Sequence, residues 1–294
     1  MPTRFRYPTG VRPLLIEEAA RRRAIEQRVV ERLGGAGYDE VVLPIIDFVD
    51  PYSAILDREV ARQSYRFVDR DGELVAIRSD FTPMLARALA PVMTDADLPL
   101  RVFYRGDVIR CEATRLGANR ELFQIGAEIV GEPSPAADRE MLELAAAIVR
   151  DFGLIPTVIY NDVSIVESLI ASAPGIRGAL VAKRITNGDV PPDLRPIVER
   201  LISGEATLDD VASFAPAAAT RLAEVGARLG SEFLLQLDDI DETAGYYTGL
   251  RFRVYAGSAR TRVAQGGRYD SLYERFGTAA AAIGFTFTID DLQS

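Results

Sequence analysis

Two long strand-like segments, 101–109 and 122–130, constrain the fold of this chain most strongly, because each is long enough to cross a whole sheet. Two shorter segments, 65–68 and 74–77, flank Asp71-Gly72, a dipeptide suited to the positive φ angles of a hairpin turn. Antiparallel pairing is therefore expected. Together with separate helical stretches, this pattern predicts an α+β domain in which helices flank an antiparallel sheet.

The helices are predicted from their start and stop signals. Segment 14–33 carries apolar residues along one side and ends at Gly34-Gly35. Thr82-Pro83 and Ser134-Pro135 each combine an N-cap residue with proline at the first helical position, so a helix should begin at both places.

The second half of the chain contains a long alanine-rich helical pattern, from about 163 to 230, followed by a strand-like run at 246–255. Because strands stand on both sides of this helical pattern, we interpret it as an insertion. The prediction is one domain over 1–294 with a helical insertion at about 163–230.

Composition excludes several functions. The chain has no histidine and one cysteine, which rules out Ser-His-Asp hydrolysis, an intrachain disulfide and a zinc site built on thiolates. The net charge of −9 argues against a large nucleic-acid surface, since such surfaces neutralise phosphates with Lys and Arg. No apolar run approaches the length of a membrane span, and no secretory signal begins the chain. We expect a soluble, cytoplasmic protein without membrane contact, metal or cofactor.

The most specific motif covers 103–112 and continues through Gly117, Arg120, Gln124, Gly126, Glu128 and Gly131. It resembles motif 2 of the histidyl-tRNA synthetases, which are class II aminoacyl-tRNA synthetases. The resemblance implies that Arg110 contacts a phosphate, a task that suits the two-pronged guanidinium group. The alternative is a surface ion pair between Arg110 and Asp107 or Glu112.

A weaker match, 37–44, resembles motif 1, which forms the homodimer interface in that class; a core strand is the alternative. Segment 78–82 stands where the synthetases have an Arg-Pro-Glu-Gly-Thr turn, and Asp80 keeps the carboxylate that holds the amino group of histidine. Capping of the helix that begins at Pro83 is the ordinary role for such an aspartate. Both roles are compatible.

Segments 245–249 and 266–270 resemble the two signatures of the synthetase histidine pocket. Tyrosine suits an imidazole ligand because it offers a flat apolar face and one hydroxyl. We predict that Tyr246 lies in the core instead. The resemblance implies a histidine-like pocket lined by Asp80, Thr82, Gln124, Glu128, Tyr247 and Tyr269.

Three departures from the synthetase pattern affect phosphate binding. Glu242 and Asp291 stand where the family has arginines that contact the substrate and ATP, and Ala118 replaces the first arginine of a loop in motif 2. Carboxylates at two such positions should abolish adenylation, because each unfavourable contact at about 4 Å costs roughly 4 kcal/mol. Arg268 is a candidate cation to compensate for Glu242.

A synthetase-like chain without these arginines resembles the regulatory subunits of short-form ATP phosphoribosyltransferase, which are paralogues of the synthetases. The resemblance implies a non-catalytic subunit that binds a short catalytic subunit, forms a homodimer within a hetero-octamer and takes histidine as its effector. It also implies that the chain has no anticodon-binding domain and binds no tRNA. The alternatives are a truncated or divergent synthetase core and a stand-alone amino-acid sensor.

Overall fold

The computed structural model describes residues 7–53, 63–111, 119–186, 188, 190–238, 246–257 and 261–293. The strands in these ranges are β1 (Asp39–Glu40), β2 (Ile46–Phe48), β3 (Arg66–Val68), β4 (Leu74–Ile77), β5 (Leu100–Ile109), β6 (Glu121–Val130), β7 (Pro156–Asp162), β8 (Phe233–Leu235), β9 (Leu250–Ala256), β10 (Thr261–Arg268) and β11 (Ala282–Thr288). The helices are α1 (Ile16–Gly35), α2 (Thr82–Leu89), α3 (Pro135–Asp151), α4 (Val163–Ser172), α5 (Ile176–Val181), α6 (Arg195–Ser203), α7 (Leu208–Ala212) and α8 (Pro216–Gly226).

The large sheet has the strand order β1-β5-β6-β11-β10-β9-β7-β8. From β5 to β7 every pair of neighbours is antiparallel, whereas β1 and β8 join the two edges in parallel. The predicted α+β architecture is confirmed, with the two short parallel edge strands as an addition. Within segment 37–44, for which a core strand was the alternative, strand pairing covers only Asp39–Glu40, and Val42 is 86% exposed.

The two predicted strand pairs are both present. β5 and β6 pair from Leu100 opposite Val130 to Ile109 opposite Glu121. In the small sheet, of order β2-β4-β3, the β3–β4 turn is held by Asp69, whose carboxylate accepts hydrogen bonds from the backbone N–H groups of Asp71 and Glu73.

The large sheet has an apolar face and a polar face, because side chains alternate along each strand. On β6, Ile125, Ala127 and Ile129 belong to the main core together with α1 and α3. Full burial of a side chain such as Ile148 of α3 contributes roughly 1.5–3 kcal/mol. The residues that alternate with them on β6, Gln124, Gly126 and Glu128, therefore face the opposite side, where the functional site lies.

Helices α4 to α8 lie between β7 and β8 in the chain, and their apolar residues belong to the same core as α3. Helix α2 packs on the polar side of the sheet, where Ala86 and Ala90 contact the cluster that contains Tyr269 and Tyr273. Among the described residues, no helix combines the length and apolarity needed to cross a membrane.

Candidate functional site

A polar cleft opens on the face of the large sheet that α3 does not cover. The seven residues predicted to bind histidine or phosphate all line it: Asp80, Thr82, Arg110, Gln124, Glu128, Tyr247 and Tyr269. Tyr246, Gln265 and Thr286 line it as well. Residues from α2 and from strands β6, β10 and β11 thus meet at one place, although they come from distant parts of the chain.

Two glycines of neighbouring strands, Gly267 and Gly284, make room for side chains of this polar cleft. Glu128 lies opposite Gly284, which lies opposite Gly267 in the next strand. A Cβ atom added at Gly284 would stand 1.3 Å from a carboxylate oxygen of Glu128, and one at Gly267 would stand 2.9 Å from the Tyr247 ring. The two glycines therefore leave the space that Glu128 and Tyr247 occupy.

Glu128 is 1% exposed, and hydroxyl groups surround its carboxylate. Tyr104 donates a hydrogen bond of 2.9 Å, Thr82 donates one of 3.4 Å, and Tyr269 donates a short one. Burial raises the pKa of Glu128 to about 8, and the nearby charge of Asp80 adds to the rise, while the hydroxyl groups oppose it. The site therefore favours the protonated form of Glu128 much more than solvent would.

Tyr104 is a member of the site that sequence reasoning missed. Its hydroxyl lies 3.0 Å from that of Thr286, and its ring stacks on Phe81 with 4.4 Å between centroids. Burial, and then the charge of Glu128, hold the pKa of Tyr104 well above its usual range, so it remains a hydrogen-bond donor. A sequence signal does exist: Tyr104 lies opposite Gly126, whose missing side chain makes room for the ring.

Arg78 supports the position of Phe81 and Tyr104. Its guanidinium group donates to the backbone carbonyls of Asp107, Leu43 and Pro44, at 2.8 to 3.1 Å. It also stacks on Phe81, with Cζ 3.9 Å from the ring centroid. Burial lowers the pKa of Arg78. Arg78 thus links the segment after β1 to the rings that position Tyr104.

Asp80 lines the cleft and also contacts the start of α2, while its predicted contact with the amino group of histidine stays a prediction. One carboxylate oxygen accepts a hydrogen bond of 3.3 Å from the backbone N–H of Thr82, at the start of α2, and the other accepts one of 3.3 Å from the hydroxyl of Tyr246. Tyr246 packs against the core cluster that contains Tyr269 and Tyr273, in line with its predicted core position, and its hydroxyl also reaches the cleft.

Thr82 differs from its predicted role as an N-cap. Helix α2 begins at Thr82 itself, after Phe81, and no side-chain cap is present at that position. The Thr82 hydroxyl donates to Glu128 instead. The threonine is thus positioned by the helix start, but its side chain belongs to the cleft.

Arg110 follows β5 and is fixed through its backbone. Its N–H donates to the carbonyl of Arg120 at 2.9 Å, and its carbonyl accepts from Nε of Arg120 at 3.2 Å. Asp107, one of its predicted ion-pair partners, pairs instead with Arg22 at 2.7 Å. The other, Glu112, lies outside the described residues, as do Ala118 and Glu242.

Arg268 does not enter the cleft, which corrects its suggested role as a compensating cation. Because it directly follows Gly267, its side chain points to the opposite face of the sheet. There it is 2% exposed and pairs with Asp138 of α3 at 2.6 Å. Asp138 also binds Arg221 at 2.5 Å, so this buried cluster joins the sheet to α3 and α8.

Asp291 lies in a short turn, Ile289–Gln293, that follows β11 and packs against α1. It is partly buried and does not line the cleft as far as the structure describes it. Its neighbour Asp290 is half-buried, and burial raises the pKa of that carboxyl group. The end of β11 is therefore acidic.

An antiparallel sheet backed by helices, with a polar cleft on its open face, defines the class II aminoacyl-tRNA synthetase-like fold. An apo histidyl-tRNA synthetase from S. aureus has this fold, with a TM-score of 0.70 at 23% identity over 98% of this chain and 72% of the other. The family model described as histidyl-tRNA synthetase matches residues 10–292. The chain belongs to the histidyl-tRNA synthetase family.

Within this family, curated relatives carry the name ATP phosphoribosyltransferase regulatory subunit. The protein from Symbiobacterium thermophilum is 34% identical, over 99% of this chain and 79% of its own length. The one from Anaeromyxobacter dehalogenans is 32% identical, over 96% of this chain and 89% of its own length. A solved structure from Bacillus halodurans, titled as an ATP phosphoribosyltransferase regulatory subunit/histidyl-tRNA synthetase, has a TM-score of 0.84 at 25% identity and covers 99% of this chain and 83% of its own.

Proposed function

We propose that this chain is a non-catalytic regulatory subunit of ATP phosphoribosyltransferase, the enzyme that condenses ATP with phosphoribosyl pyrophosphate at the opening of histidine biosynthesis. The relatives named as regulatory subunits support this role, because they match the chain over nearly its whole length. The role implies a short catalytic subunit as the partner. We further propose a homodimer of this chain within a hetero-octamer, located in the cytoplasm.

The acidic end of β11 supports the absence of catalysis. Asp290 and Asp291 follow this strand, and Asp291 stands where the synthetases have the arginine of motif 3. A carboxylate about 4 Å from a phosphate costs roughly 4 kcal/mol at an effective dielectric constant near 20. Glu242 replaces a second synthetase arginine in the sequence, and we therefore propose that the chain does not catalyse adenylation.

Histidine is the ligand that the polar cleft suits best, and the observation that carries this proposal is the cluster of hydroxyl groups around two carboxyl groups. The described partners of Asp80 and Glu128 are hydroxyl and backbone N–H groups. An α-ammonium group near Asp80 and an imidazole N–H near Glu128 would replace weak neutral donors with stronger ones. Tyr247 and Tyr269 supply flat walls for the ring.

Feedback then follows from differential binding. If the cleft binds histidine more tightly in one quaternary state than in another, occupancy shifts the population of the complex and with it the activity of the catalytic subunit. A coupling of typical size, about 1–3 kcal/mol, changes affinity by roughly 5- to 150-fold. This is enough for a feedback inhibitor to work over a physiological range of concentration.

Co-expression with a short phosphoribosyltransferase chain tests the proposed role. The two chains should co-purify, and this chain alone should give no histidine-dependent exchange of pyrophosphate into ATP. Exchange by the isolated chain would instead identify a divergent synthetase core. Stable histidine binding without any association would identify a stand-alone sensor.

A further inference from the structure

Tyr247 and Tyr269 of the polar cleft are each followed by a residue that bonds their two segments together. Thr248, which follows Tyr247, donates its backbone N–H to the carbonyl of Arg268 at 2.8 Å. The hydroxyl of Thr248 accepts a hydrogen bond of 2.9 Å from the backbone N–H of Asp270, which follows Tyr269. The two tyrosines are therefore positioned together rather than separately.

Arg268 connects these segments to helix α3. Its guanidinium group donates to the carboxylate of Asp270 at 3.0 Å and to that of Asp138, on α3, at 2.6 Å. The side chains of Arg268 and Asp138 are only 2% and 0% exposed. Breaking such a buried pair leaves a charge without compensation, so the two groups stay together. The position of Arg268 therefore depends on that of Asp138.

Asp138 is held in turn by helix α8, the last of the helices between β7 and β8. One oxygen of its carboxylate accepts hydrogen bonds from Arg268, and the other accepts one of 2.5 Å from Nε of Arg221. A second N–H of Arg221 donates to the carbonyl of Pro133 at 2.8 Å, just before α3. Because each oxygen of Asp138 binds a different arginine, Arg221 fixes the orientation in which this carboxylate meets Arg268.

Helix α8 and the cleft are separate in space as far as the structure describes them. The described residues that line the cleft include none from α4 to α8. The bonds of Asp138 and Arg268 nevertheless form an unbroken path from α8, through α3 and β10, to the segments of both cleft tyrosines. Contiguous hydrogen-bond and ion-pair networks of this kind can carry energetic coupling between separate sites.

We infer that Arg221 is a positioning residue for the cleft, which acts through Asp138 and Arg268 on the two tyrosines and thereby sets the affinity for the bound amino acid. This inference rests on the proposed histidine site and adds an element that regulates it. A displacement of α8 then alters histidine affinity without any contact between this helix and the ligand.

Titration calorimetry with histidine tests the inference in variants at the two ends of the path. Arg221→Gln and Thr248→Val should each weaken histidine binding by about 2- to 30-fold, the usual range for substitutions within such a network. Arg221→Lys should lose less, because it keeps a cation next to Asp138. The combined variant of Arg221→Gln and Thr248→Val should lose less than the product of the two single losses, because both substitutions interrupt the same path.

The matched control is Arg139→Gln. Arg139 also connects α3 to α8, through a hydrogen bond of 3.2 Å to the carbonyl of Glu224, but it lies outside the path. This variant should bind histidine as the native chain does. Urea unfolding checks that each variant is folded, and Thr248→Val, which removes no charge, tests the path even where Arg221→Gln is unstable.

Three results would overturn the inference. The first is native-like histidine binding by Arg221→Gln or by Thr248→Val. The second is an equal loss of affinity in Arg139→Gln, which would assign the effect to helix packing in general. The third is a combined variant whose loss equals the product of the single losses. If the native chain binds no histidine, the proposed histidine site fails, and the inference fails with it.

Discussion

Replacing Glu128 by glutamine should make the isolated chain more stable at alkaline pH. In the folded chain the carboxyl group is buried, and its pKa is raised from 4.5 to about 8. In the unfolded chain it titrates near its ordinary value. Between these two pH values, the folded protein holds a proton that the unfolded chain has released. The stability of the native protein must therefore decrease as the pH rises through this interval.

The size of this effect follows from proton linkage. One bound proton changes the free energy of unfolding by about 1.4 kcal/mol per pH unit, so the loss between pH 4.5 and pH 8 is about 5 kcal/mol. Glu128→Gln keeps the shape of the side chain but cannot ionise. Its stability relative to the native chain should therefore increase with pH and level off above about pH 8.

Urea unfolding of both proteins at about pH 5 and about pH 8 measures this difference. Glu140→Gln is the matched control, because Arg101, bonded to Glu140 at 2.7 Å, lowers the pKa of that carboxyl group. The Glu140 contribution is lost only as the pH falls below its unfolded pKa, so the stability difference for this variant should hardly change between about pH 5 and about pH 8. A difference between Glu128→Gln and the native chain that does not vary with pH would refute the buried, protonated state of Glu128.

Three further substitutions have defined outcomes. Gly284→Ala should eliminate the heat of histidine binding and lower the free energy of unfolding in urea by roughly 1–3 kcal/mol, because the added Cβ would stand 1.3 Å from Glu128. Native-like binding by this variant would contradict the role given to Gly284. Asp80→Asn should weaken histidine binding by about 10- to 100-fold in calorimetry, whereas Asp71→Asn in the exposed β3–β4 turn should not. Arg268→Met should destabilise the chain by about 3 kcal/mol, because it breaks the buried pair with Asp138. This is the low end for a broken buried pair, since Asp138 keeps its bond to Arg221. An unchanged urea midpoint would contradict this expectation.

Local sequence signals predicted several elements of the fold but not the order of the strands in the sheet. The β5–β6 pair and the β3–β4 hairpin were predictable because their strands are neighbours in the chain. The pairing of β6 with β11 joins Glu128 to Gly284, and no local periodicity carries that information. The parallel pairing of β1 and of β8 at the edges was missed for a similar reason, since each strand is only two or three residues long.

The family resemblance predicted the residues of the cleft, but it did not say on which face of a strand each one lies. Arg268 illustrates the gap. It stands between Gly267 and Tyr269, and strand alternation alone assigns it to the opposite face from both. Tyr104 was missed because its role depends on Gly126 in the neighbouring strand. Binding of histidine by the assembled cleft remains a prediction.

Reconstitution of the enzyme tests the central claim most directly. The chain would be mixed with a short-form ATP phosphoribosyltransferase catalytic subunit, and the condensation of ATP with phosphoribosyl pyrophosphate followed with and without histidine. We expect activation on mixing, inhibition by histidine, and loss of that inhibition in Asp80→Asn while activation persists. A catalytic subunit whose rate is the same in the presence and absence of this chain would contradict the regulatory role.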